Sequence, residues 1–166
     1  EFLNAELSTL ITPLGDKYIR SMMSSYICCF GNNLYVPEVS RTPSIFDNVA
    51  VTLGLPSFKY TCQRSSNIVS LTRYLQGITS SGVWGGIVDY EKLHIHYAAT
   101  LVLEIRQIML AKREKKTLFR DFKINPSFHL CMLNRVKALT KTKEINSDFR
   151  GFRTLYIAIP DYNMML

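Results

Sequence analysis

The stretch DYEKLHIHYAATLVLEIRQIMLAKREKK, residues 89–116, decides how the chain reads. It holds no glycine and no proline, and helix-forming residues dominate it. Leu93, Tyr97, Leu101, Ile105 and Ile108 recur at three- and four-residue steps, which is one face of a helix. Val102, Leu103, Met109 and Leu110 widen that face until only a polar stripe of His96, Thr100, Glu104 and Gln107 remains. A helix so nearly apolar all round belongs among other helices. The spacing therefore predicts one central helix over residues 89–116, about 42 Å long at ~1.5 Å per residue.

Working outward, Ser127 as a cap, with Leu130, Leu133, Val136 and Leu139 behind it, predicts a helix over residues 127–142. On the other side, ITSSGVWGG (residues 78–86) is rich in glycine and small residues and reads as a loop. Further helices are expected over residues 4–12, capped by Asn4 and stopped by Pro13, and over 16–29, closed by Gly31. Thr42-Pro43 reads as cap and first turn of a helix to Leu53, and Ser65 or Ser66 caps one through Leu75. Residues 34–36, 58–62 and 154–159 read as short extended pieces. The expected fold is mainly α, α+β at the margin: about six helices packed around helix 89–116, with two or three short strands.

A chain of 166 residues is the size of one domain. The expectation is one compact helical domain over residues 3–166, with Glu1-Phe2 set aside as a cloning remnant or processed terminus. With 47% apolar and 20% charged residues the chain is globular rather than disordered. No apolar run reaches the ~20 residues of a membrane span, and no apolar stretch follows a basic start as in a signal peptide. Cys28, Cys29, Cys62 and Cys131 show no regular spacing, which points to free thiols in a reducing intracellular or intraviral compartment, not to secretion.

Charge is unevenly placed. The net charge is +7, yet residues 106–153 alone carry thirteen basic and four acidic side chains, a net of +9. That asymmetry points to a polyanionic partner. The candidate phosphate contacts are Lys112, Arg113, Lys115, Lys116, Arg120, Lys123, Arg135, Lys137, Lys141, Lys143, Arg150 and Arg153. Phe119, Phe122, Phe128, Phe149 and Phe152 are interleaved with them, as stacking platforms for bases or as core. A membrane surface fits less well, because the basic cluster has no apolar face of its own beside it.

Catalytic and metal patterns are missing. There is no G-x-S-x-G, no H-E-x-x-H and no glycine-rich phosphate loop. Asp89 and Glu91 read as the acidic start of a helix. His94 and His96, two apart on that helix, would point away from each other and could not share a metal. No cofactor and no metal is expected. The reading that results is a non-enzymatic, nucleic-acid-associated structural protein (a nucleocapsid, coat or ribonucleoprotein subunit) that binds RNA or DNA backbone nonspecifically through its C-terminal half. The alternatives are a protein–protein interaction module or fragment of a larger assembly contacting other subunits, and an enzyme with no recognisable motif.

Overall fold

In the computed structural model, which describes residues 13–37, 43–136 and 152–156, helices and strands alternate along the chain. They run α1 (Pro13–Ile27), β1 (Gly31–Pro37), α2 (Pro43–Thr52), β2 (Ser57–Thr61), α3 (Ile68–Ser81), β3 (Trp84–Val88), α4 (Ile95–Arg113), β4 (Leu118–Phe119), β5 (Phe122–Lys123), β6 (His129–Val136) and β7 (Phe152–Tyr156). Five strands form one parallel sheet in the order β2-β3-β6-β1-β7, and β4 pairs with β5 as a separate hairpin. This is an α/β fold, and it overturns the mainly α expectation.

Helices cover both faces. On one, Tyr18 and Met22 of α1 and Phe46, Val49 and Ala50 of α2 pack with Leu34, Trp84, Val88, Cys131 and Leu133. On the other, Leu71, Leu75 and Ile78 of α3 and Leu101, Ile105 and Ile108 of α4 pack with Ile87, Leu130 and Met132. Parallel strands need crossovers, and each crossover helix buries a sheet face, so the central strands lose the alternation that marks a half-exposed strand.

Two expectations fail for that reason. The loop expected over residues 78–86 is the end of α3, a left-handed Gly82 cap (φ 81°) and the wholly buried strand β3. Gly85 is there for close approach: a Cβ on it would lie 2.3 Å from Ile78 Cδ1. The helix expected over residues 127–142 is β6 as far as the described residues reach, and β6 is the middle strand of five. Its residues 129–134 are all buried, and the apolar run Leu130-Cys131-Met132-Leu133 within them serves a helix or an inner strand equally well.

The long central helix also breaks. Asp89 takes a left-handed conformation (φ 56°, ψ 40°), Tyr90–Lys92 form one 3-10 turn, Leu93 is extended, and α4 begins only at Ile95. It lies on one face of the sheet and is not central. Tyr97, Leu103 and Leu110 are exposed, whereas Glu104, expected on the polar stripe, is buried and accepts a hydrogen bond from Thr72 Oγ1 at 3.1 Å.

Locally punctuated elements fare better. α1, α2, α3, β1, β2 and β7 lie close to their expected places. Pro13 is the first described residue of α1, a position where proline is tolerated. Asn67, not Ser65 or Ser66, caps α3 by accepting from the Val69 N–H at 2.9 Å. The helix expected over residues 4–12, and residues 137–142 and 157–159 of two other expected elements, lie outside the described residues.

Candidate functional site

In an open parallel sheet, ligands bind beyond the carboxyl ends of the strands where the winding reverses, because connections leaving in opposite directions open a crevice there. Here β1 leads through α2 to β2 at one edge, while β6, the neighbour of β1, leads to β7 on β1's far side. That rule places the expected crevice at the carboxyl end of β1, where α2 starts. Strand register brings the other ends alongside: Tyr35 pairs with Asn134, and Leu133 with Val88.

Asp89 follows β3 directly. Only 2% exposed, it anchors the strand end by donating its N–H to the Leu133 carbonyl at 2.9 Å, and its Oδ2 pairs with Lys92 Nζ at 2.6 Å. The short turn after it carries Glu91, whose carboxyl is raised above the usual carboxylate range by desolvation first and by the Asp89 charge second, with Lys92 opposing. Cys62, just past β2, donates its N–H to the Val88 carbonyl at 2.8 Å. Burial, then Asp89, pushes its thiol up to about 11, so it stays protonated at neutral pH. Asn134 is fully buried and donates to Asn33 Oδ1 at 2.8 Å, while its own Oδ1 finds no hydrogen-bond partner among the described residues. A buried carboxylate and a buried amide at adjacent strand ends form a polar floor that can orient a charged ligand or its cation.

The amino ends of the same strands hold a different cluster. Asn32 and His129 Nε2 lie 2.8 Å apart, and Trp84 stacks obliquely on His129 with ring centroids 4.6 Å apart. Burial, then the charge of Lys112, pushes the His129 imidazole down to about 3, so it is neutral. Lys112 donates to the Phe128 carbonyl and sits over the rings of Phe128 (4.5 Å) and Tyr26 (5.4 Å).

The basic residues of the sequence reading do not share one role. Lys112 is buried and bound internally, with its ammonium lowered to about 8 by burial. Arg113 stacks over Phe30, Lys116 pairs with Glu114, and Arg120 reaches Glu104 and Gln107. Lys115 and Lys123 are exposed, and Arg153 reaches Ser24 Oγ at 3.4 Å across the groove between α1 and β7. Arg135 lies on β6, and Lys137, Lys141, Lys143 and Arg150 lie outside the described residues. Phe128 is core, and Phe119 and Phe122 pack edge to face in the small hairpin. His94 is not helical but precedes α4, so its ring stacks on His96 at 5.2 Å rather than pointing away. Among the described residues no three possible ligands gather around a metal position, and no helix is long and apolar enough to cross a membrane.

Sequence reasoning took Asp89 as a helix start and missed Asn134. The usable signal was WGGIV followed by Asp: a short apolar run ending in an acid, which is how an inner strand delivers a carboxylate to a crevice.

Comparison with known proteins agrees with this geometry. A family model described as the hydrolytic ATP binding site of the dynein motor region matches residues 1–166. Human dynein axonemal heavy chain 8 is 21% identical over the whole chain, and rat dynein axonemal heavy chain 5 is likewise 21% identical. Cytoplasmic dynein 2 heavy chain 1 of Caenorhabditis elegans is 22% identical over 63% of the chain. The chain spans only 4% and 5% of the length of the two axonemal relatives. In fold, the structure of C. elegans PCH-2 superposes with a TM-score of 0.61 at 10% identity, covering 91% of this chain and 44% of that one. These findings overturn the nucleic-acid reading. A hydrolytic ATP-binding family over the full chain replaces the non-enzymatic nucleocapsid, coat or ribonucleoprotein subunit, and RNA or DNA backbone as its partner.

Proposed function

We propose, given that the chain belongs to the family of the hydrolytic ATP binding site of the dynein motor region, that it is a nucleotide-handling module of a much longer ATP-driven motor chain. The carrying observation is the family match over all 166 residues, joined to a sheet whose β1–α2 connection opens at the winding switch. In this reading the nucleotide phosphates lie at the start of α2, where helix N–H groups and the helix dipole favour an anion. Asp89 faces the accompanying cation, and Asn134 offers its amide from β6. The residues fit a magnesium nucleotide in part: the carboxylate and the orphaned buried amide oxygen suit it, while the loop between β1 and α2 lacks the glycines and lysine of a phosphate cradle. The relatives are named for the axoneme and the cytoplasm, which with four free cysteines supports a reducing intracellular setting.

Photocrosslinking with 8-azido-ATP tests where the nucleotide sits. Label is expected within residues 37–47 or at the carboxyl ends of β2, β3 and β6, and excess ATP should suppress it. Label confined to the amino ends of the strands, or label that ATP leaves untouched, would sink the reading.

A further inference from the structure

The phosphate-binding pattern G-x-x-x-x-G-K-[ST] has a physical reason for each fixed position. Glycines let backbone N–H groups close on the phosphates, the lysine reaches the outer phosphates, and the hydroxyl holds the metal. Laid on this chain with its hydroxyl at Ser44, the pattern puts Pro37 and Thr42 where the glycines belong and Pro43 where the lysine belongs. No glycine lies between Gly31 and Gly54, and no lysine between Lys17 and Lys59, so no shift of register restores it. The structure sharpens the point. Pro37 is the last residue of β1 and Pro43 the first of α2, so proline stands at both sides of the connection and neither has an N–H to give. The intervening residues Glu38-Val39-Ser40-Arg41-Thr42 include no glycine and no lysine. On the metal side, Asp89 Oδ2 already pairs with Lys92 at 2.6 Å, a cation that competes with a divalent ion for the same oxygen.

Resting on the nucleotide reading above, we propose that this crevice is a reduced nucleotide site: it holds ATP weakly, turns it over slowly, and leaves the shape of the module nearly independent of nucleotide. Losing one preorganised charge-stabilising donor commonly slows a reaction on the order of 10²–10³-fold, and here the lysine is missing together with the N–H groups at positions 37 and 43.

Titration of a fluorescent (N-methylanthraniloyl) ADP against the 166-residue protein, with and without Mg²⁺, tests this beside the variant Pro37→Gly/Thr42→Gly/Pro43→Lys. The unaltered protein is expected to saturate only near or above about 1 mM, and the variant to bind roughly tenfold or more tightly and to gain Mg²⁺ dependence. Micromolar binding by the unaltered protein overturns the reduced site while upholding the nucleotide crevice. Absence of binding by both, with circular dichroism showing both folded, removes the nucleotide reading and this inference with it. Should the variant fail to fold, the affinity of the unaltered protein alone decides, micromolar against and millimolar for.

Discussion

At the amino ends of β1, β3 and β6, the polar groups of Asn32 and His129 are sealed among Trp84, Tyr26, Phe128 and the buried Lys112; toward the carboxyl ends of the same sheet, Asp89 and Asn134 lie buried on the side where α2 begins. Both ends are polar and both are buried. The first pairs Asn32 with His129 Nε2 and keeps His129 neutral, although Asn32 Oδ1, His129 Nδ1 and Trp84 Nε1 find no hydrogen-bond partner among the described residues. The second places a carboxylate and an amide near the carboxyl ends of β3 and β6, the side on which a parallel sheet meets its ligands. The contrast teaches that burial of polar side chains marks function only where the topology leaves a crevice.

The largest effect should come from breaking the sealed end. Trp84 is fully buried, and Trp84→Ala should cost about 3–5 kcal/mol of unfolding free energy by urea titration. A loss below about 1 kcal/mol would mean that this end is not a closed core.

The next effect is a pH slope. His129 titrates near 3 when folded against about 6.5 unfolded, so below pH 6.5 the unfolded chain binds a proton that the folded one refuses. Stability should therefore fall with acid, by about 1.6 kcal/mol between pH 6.5 and 5, as the slope grows from half to nearly the full ~1.4 kcal/mol per unit. His129→Gln should remove that component, and equal slopes in the two proteins would place the titrating group elsewhere.

The smallest stability effect belongs to the crevice end. Asparagine tolerates the left-handed backbone of Asp89, and the Lys92 partner is half exposed, so Asp89→Asn should change stability by about 1 kcal/mol or less while lowering 8-azido-ATP label. A loss as large as that of Trp84→Ala would erase the distinction between the two ends.

Legibility followed the same division between local and distant causes. Pro43, Gly31 and Gly54 mark element ends by their own backbone chemistry, and the helices and short strands near them were readable. β3 and β6 were not. Trp84-Gly85-Gly86 looks flexible until Ile78 is seen pressed against Gly85, and residues 129–134 carry no alternation because helices or neighbouring strands surround them on every side. Asn134 is one asparagine among apolar residues, and its importance comes from pairing in register with β1.

By itself the sequence determined the caps and stops, the apolar stock for a two-sided core and the missing glycines and lysine of the phosphate loop, since each depends on one residue or its near neighbours. Only the tertiary structure decided that residues 84–88 and 129–136 are strands, and so where the crevice lies. The hydrogen bonds that hold β6 come from β1 and β3, as in the register of Asn32 with Cys131 and of Trp84 with His129, and partners that far apart in sequence leave no local periodicity to read.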